Sequence, residues 1–128
     1  KAIAQLLYGI PGLLPALIRV LSITYARDWR TLYDMLRKDL SRTTMESFSR
    51  SIRDLRETDL RPYLSEFQIP TMGIYGHKDN IVDPEQGEIL RQGVADHTVH
   101  YFANSGHFPM LDETDHFHQT IRDFLIDA

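Results

Sequence analysis

The feature that most constrains this chain is a change of period at Pro62. Before it, apolar residues recur only at helical spacing; after it, two strand-like runs alternate with two helical ones. Strand, helix, strand, helix predicts a parallel pair joined by a right-handed crossover. The first run, Ile69-Pro70-Thr71-Met72-Gly73-Ile74-Tyr75-Gly76, is nearly uncharged and ends on glycine, which suits a strand buried on both faces. Asp83-Pro84-Glu85-Gln86 then predicts a helix start, with Asp as N-cap, Pro at N1 and Gln at N3. Ile89, Leu90 and Val94 are expected to face inward, with Gly93 near the helix end. Residues 98–102 read as the second strand, and a last helix carries Phe117, Ile121, Phe124 and Leu125. Two strands alone are marginal. Strands of interior type need neighbours, so the rest of the sheet is expected to precede residue 1.

Residues 1–60 read as helices only. Trp29, Leu32, Tyr33, Leu36 and Leu40 follow one helical stripe behind a possible Asp28 cap, and Met45, Phe48, Ile52 and Leu55 repeat the pattern. Thr43-x-x-Glu46 reads as a capping box ahead of the second stripe. The segment 3–23 is the most apolar, but Gly9, Pro11, Gly12 and Pro15 break it and it contains Arg19. It is expected to form two short helices split near Pro11-Gly12. No run approaches the roughly 18 apolar residues of a membrane span, and no signal peptide is expected. The chain opens on Lys1 directly into an apolar segment, as a cut inside a longer protein would.

Charge excludes some functions. The net charge of -4 divides into +3 over residues 1–70 and -7 over residues 71–128, and all six histidines lie in the second part. The acidic half argues against a phosphate-backbone partner, and the basic half lacks the clustering of a nucleic-acid footprint. With no cysteine, thiolate metal sites, disulfides and cysteine nucleophiles are out, which fits a cytoplasmic location.

The chemistry sits at the ends of the two strands. Gly76-His77-Lys78-Asp79 follows the first, and Asn104-Ser105-Gly106-His107-Phe108-Pro109-Met110-Leu111-Asp112-Glu113 follows the second. Loops at the C-terminal ends of parallel strands are where α/β proteins place ligands and reacting groups. Neighbouring strands lie ~4.8 Å apart, so Asp79 and His107 can meet at hydrogen-bond distance. An imidazole can take a proton at neutral pH, and a carboxylate on its Nδ1 fixes the tautomer and stabilises the imidazolium.

At these residues the chain resembles the α/β-hydrolase superfamily: Ile69-Pro70-Thr71 leading a strand, Gly76-x-x-Asp79 after it, and Gly106-His107-Phe108-Pro109 followed by an acidic pair and a final helix. The likeness covers residues 57–128 well; residues 1–56 match in style only, as a helical cap. It implies a partial α/β-hydrolase fold, with a cap or lid region at 1–60 and the last two parallel strands with their helices at 61–128. By the resemblance Asp79 is the triad acid and His107 the triad base. Thr114 stands where many relatives carry Pro, and Thr can N-cap the last helix instead. Asp83 is a weaker rival acid, since capping already explains it. No Ser or Asp sits in the family's Gly-x-Ser-x-Gly frame or its Asp version. Ser105 lacks the strand-turn-helix context and reads as a loop hydroxyl. The nucleophile and oxyanion donors are therefore expected in an N-terminal catalytic portion of the same protein, and this chain alone is expected to be inactive.

The implied activity is hydrolysis of an ester or related acyl bond in a small to medium apolar substrate. The same half would serve an Asp-nucleophile epoxide hydrolase or haloalkane dehalogenase, or a C–C bond hydrolase. A reading of another class is a non-catalytic binding module, or a fragment needing a partner chain. Trp29, Tyr33 and Phe108 are candidate substrate contacts, although helical spacing makes Trp29 and Tyr33 core residues first. Phe108, Pro109 and Met110 are expected to pack around the histidine loop. No cofactor is called for. His116-x-His118 points two rings apart on a helix, so no metal site is expected. His77, His97 and His100 read as loop or surface residues, with His77 at the site's rim.

Overall fold

A computed structural model describes residues 10–127 of the chain. The described residues divide into two compact units, one up to Thr58 and one from Asp59 onward. The first is all-helical. Helix α1 (Leu13–Tyr25) starts behind Gly12, whose φ of 84° lies in the left-handed region that glycine adopts without penalty. The helix expected before Pro11 lies outside the described residues. Helix α2 (Trp29–Leu40) is capped as expected by Asp28, whose carboxylate accepts from the Thr31 amide and the Thr31 hydroxyl. The α1–α2 pair packs around Ile18, Ala26 and Leu32, with Leu32 only 1% exposed.

Helix α3 (Met45–Glu57) starts one residue away from the expected box. Thr44, not Thr43, is the N-cap, and its hydroxyl oxygen accepts from the Ser47 amide at 3.1 Å. Thr43 is spent on the preceding helix, where its hydroxyl donates to the Asp39 carbonyl. Phe48, Ile52 and Leu55 form a stripe along α3 as the spacing predicts, but all three are exposed.

The second unit opens with a 3-10 helix (Arg61–Glu66) carrying Pro62 at its start. Strand β1 (Thr71–Gly76) and strand β2 (His97–Phe102) pair in parallel, with Thr71 opposite His97 and Gly76 opposite Phe102. The parallel βαβ order expected from the change of period is present. The expected burial on both faces is not: among the described residues only Gly73 and Gly76 of β1 and Phe102 of β2 are buried. A two-stranded ribbon has too little covering surface to hide both faces.

Helix α4 (Gln86–Gly93) makes the crossover. It begins three residues after Asp83, because the first turn is tighter: the Gln86 amide bonds the Asp83 carbonyl and the Gly87 amide bonds the Pro84 carbonyl. The Asp83 carboxylate still accepts from the Glu85 amide at 3.0 Å. Val94 is 2% exposed, while Ile89 and Leu90 are half-buried. Gly87 is buried where α4 crosses β2, and any Cβ there would strike the Tyr101 hydroxyl.

A single turn, α5 (Pro109–Asp112), leads into α6 (Thr114–Asp127). Phe102 is fully buried beside α6, with the His116 ring stacked on it at 4.2 Å and Phe117 edge-on at 6.4 Å. Leu125, although apolar, is 68% exposed. Thr114 does not cap α6 by accepting an amide. Its hydroxyl donates back to the Met110 carbonyl, and the Phe117 amide bonds the Glu113 carbonyl. Among the described residues no helix is long and apolar enough to cross a membrane.

Candidate active site

The strand register places the two site loops side by side. Gly76 and Phe102 are the last paired residues, so both loops leave the sheet at the same level. The loops then bond each other directly. The His77 amide donates to the Phe102 carbonyl at 3.0 Å and the Lys78 amide to the Ser105 carbonyl at 2.9 Å. Gly76 is required by this approach: a Cβ there would collide with the carbonyl oxygens of Ser105 and Gly106 and lie 2.8 Å from the Ser105 carbonyl carbon. Backbone cannot retreat as a flexible side chain can, so only a hydrogen fits.

Asp79 comes three residues after Gly76. Its amide closes a turn onto the Gly76 carbonyl, and one carboxylate oxygen, Oδ1, accepts from the amides of Ile81 and Val82 at 2.8 and 3.0 Å. The other, Oδ2, meets Nδ1 of His107 at 2.9 Å. An ionised carboxylate only accepts, so Nδ1 carries the hydrogen and donates. The Asp79 side chain is 10% exposed and the His107 side chain 32%. Burial pushes the Asp79 carboxyl up, but the Val82 amide, the His107 ring and the Ile81 amide together outweigh it, holding it below the usual aspartate value. The pair is thus an ionised acid, locked by two amides, orienting an imidazole that stays open to solvent.

The structure brings Asp79 and His107 together as the spacing predicts, and leaves Asp83 on the turn before α4. Phe108 stands edge-on to the His107 ring at 5.0 Å, and Pro109 is buried beneath the loop. Met110 was expected to pack there too, but it turns outward at 38% exposure. His77 is exposed and stacks on Tyr101 at 5.1 Å. His97 and His100 are not loop residues: both lie in β2 and are half-buried, with Nδ1 of His97 2.7 Å from the Val94 carbonyl. His116 and His118 take different neighbours, Phe102 and Phe117 respectively.

Trp29 and Tyr33 lie one helical turn apart on α2 and line a shallow depression of the first unit with Arg19, Arg30 and Asp34. Its lining is charged as well as aromatic. The Arg19 and Arg30 guanidiniums lie 5.4 and 4.6 Å from the Trp29 ring centre.

The acidic pair after the histidine has a role that sequence reasoning missed. Oε2 of Glu113 accepts from the Asn104 amide at 2.9 Å and the Ser105 hydroxyl at 2.7 Å, and Oδ2 of Asp112 accepts from the Gly106 amide at 2.9 Å. Ser105 is fully buried and its hydroxyl is committed to this bond. The available signal was a pair of carboxylates six to eight residues beyond a Ser-Gly loop, which sequence alone cannot separate from acidic residues at a helix start.

Comparison with known proteins finds both a family and individual relatives. The sequence model of the alpha/beta hydrolase fold family matches residues 13–114. The chain is 31% identical over 70 residues to the 2-hydroxy-6-oxononadienedioate/2-hydroxy-6-oxononatrienedioate hydrolase of Klebsiella pneumoniae, covering 55% of this chain and 24% of that protein. It is 33% identical over 70 residues to the AB hydrolase superfamily protein YisY of Bacillus subtilis, covering 55% and 26%. Against a 2-hydroxy-6-oxononadienedioate/2-hydroxy-6-oxononatrienedioate hydrolase of Escherichia coli it is 29% identical over 89 residues, covering 68% and 31%. The chain spans about a quarter to a third of the length of these relatives.

Proposed function

The chain belongs to the α/β-hydrolase family, and from that premise we propose that it carries the acid and base of a hydrolase whose nucleophile lies in another part of the same protein. The 2.9 Å bond between His107 Nδ1 and Asp79 Oδ2 is the observation that carries the reading. It fixes the ring so that Nε2, on its opposite edge, can take the proton of a serine hydroxyl as the oxygen attacks an acyl carbon. The imidazolium, held by Asp79, then protonates the leaving group as its bond breaks. Water next gives a proton to His107 as its oxygen adds to the acyl-enzyme, and the imidazolium returns that proton to the serine oxygen as the acyl–serine bond breaks, which releases the acid and restores serine. An ester of a small to medium apolar molecule is the first substrate class. The helices before Thr58 act as the cap, with Trp29 and Tyr33 as its substrate contacts and Phe108 walling the histidine.

A second reading, cleavage of a C–C bond next to a carbonyl, draws support from the names of the Klebsiella and Escherichia relatives. The same residues serve it, with carbon in place of oxygen as the protonated leaving atom. The charged lining around Trp29 and Tyr33 suits the carboxylates of such a substrate better than it suits a wholly apolar ester.

The test is His107→Ala in the full-length protein, assayed on p-nitrophenyl esters and on 2-hydroxy-6-oxononadienedioate. Loss of a triad base lowers kcat by roughly a thousandfold or more. Unchanged turnover on whichever compound the unaltered protein cleaves would remove His107 from the mechanism. Which compound is cleaved separates the two readings.

A further inference from the structure

The backbone just before His107 is held by an unusual number of charged acceptors. Three consecutive residues, Asn104, Ser105 and Gly106, each donate to a carboxylate of the acidic pair, through the amide, the hydroxyl and the amide respectively. Ser105 has no exposed surface, so its hydroxyl depends wholly on Glu113 for an acceptor. On the other side, the Ser105 carbonyl accepts from the Lys78 amide, within the loop that carries Asp79. Ser105 is therefore gripped by the backbone of the Asp79 loop as well as by the acidic pair, and it stands two positions from the imidazole.

We propose that Glu113 is a positioning residue, whose carboxylate clamps the Asn104-Ser105 segment and so sets the placement of the His107 ring against Asp79. The inference rests on the hydrolase reading of His107 for its consequence in turnover, though not for its consequence in geometry. Charge-assisted acceptance of a buried hydroxyl and an amide by a single oxygen is stronger and more directional than neutral bonding. The Ser105 hydroxyl, foremost, with the Asn104 amide and His116, holds the Glu113 carboxyl below the usual glutamate value against burial, so it is ionised at neutral pH. Loosening this grip frees the segment to slide along the Gly76 loop. A displacement of about 1 Å at a reacting group is enough to cost up to about a hundredfold in rate.

The experiment uses the full-length protein with three variants, each read by kcat, by KM and by the downfield proton resonance of the His107 Nδ1–H. Glu113→Ala is expected to lower kcat about tenfold or more with KM changed less than about twofold, and to broaden or abolish the resonance. Glu113→Gln keeps an oxygen acceptor at the same reach and is expected to restore kcat to within about threefold. Ser105→Ala, which removes the buried hydroxyl without stranding it, is expected to fall between. A folded Glu113→Ala with resonance and kcat unchanged overturns the proposal. Should Glu113→Ala fail to fold, an unshifted resonance in Ser105→Ala overturns it equally, leaving Glu113 a folding residue. If His107→Ala keeps full turnover while Glu113→Ala still loses the resonance, the hydrolase reading fails and the clamp stands.

Discussion

Replacing Gly76 by Ala probes the tight approach of the two site loops. The glycine's backbone is not in the left-handed region, so the cost is one of space, not of torsion. The new methyl carbon would overlap two carbonyl oxygens and sit 2.8 Å from the Ser105 carbonyl carbon, all backbone atoms. The loops must part by about an ångström to reach ordinary contact, which stretches the Lys78-to-Ser105 and His77-to-Phe102 bonds from 2.9 and 3.0 Å toward rupture. Overpacking costs typically 1–3 kcal/mol, and each weakened backbone bond adds up to about 1 kcal/mol. The expected loss is about 3 kcal/mol, read as a lower midpoint at unchanged slope in urea unfolding of the full-length protein. The His107 Nδ1–H resonance should weaken in the same variant, because the base and acid loops have moved apart. A loss under about 1 kcal/mol with the resonance intact would refute the claim that the two loops are pressed together at this residue.

Asp79→Asn leaves a neutral group beside the ring and removes the preference for the correct tautomer; kcat is expected to fall by about a hundredfold to ten-thousandfold in steady-state assays. Because the folded-state Asp79 value lies below its unfolded one, its contribution to stability is fully present above the unfolded-state value of about 3.9 and is lost as pH falls from there through the lower folded value. Urea unfolding between about pH 5 and pH 2 should therefore show a shallower acid loss in Asp79→Asn than in the unaltered protein. Phe102→Ala removes a fully buried ring from between β2 and α6 and should cost about 3–5 kcal/mol, whereas Leu125→Ala, at an exposed position, should cost under about 0.5 kcal/mol in the same thermal unfolding experiment.

The contact of Asp79 with His107 was legible because each residue lies a few positions past a glycine- or aromatic-ended strand, and parallel pairing makes neighbours of loops far apart in sequence. The α3 cap was misplaced because Thr43 and Thr44 are adjacent and chemically alike; only the structure shows that the Asp39 carbonyl has already engaged Thr43. Leu125 fits the inward stripe of α6 on spacing, yet spacing says which residues share a face and not how wide the covered face is. The clamp of Asp112 and Glu113 was hidden for a different reason. Side chain to backbone bonds are decided by how a loop curls, and no periodicity encodes that curl.

The level ending of β1 and β2 has a bearing on how such a protein can vary. Asp79 hangs on an arm of three residues from Gly76, and His107 on an arm of five from Phe102, and the lengths of these two arms limit where the pair can meet. The stretch between Val82 and the start of β2 adds length to the chain but none to the reach of either arm. Residues can be inserted into that crossover, or removed from it, without moving Asp79 from His107, so the 28 positions that separate them in the chain are incidental while the two short arms are not. A relative with a longer crossover would keep the same meeting point, and one with a single residue added to either arm would lose it.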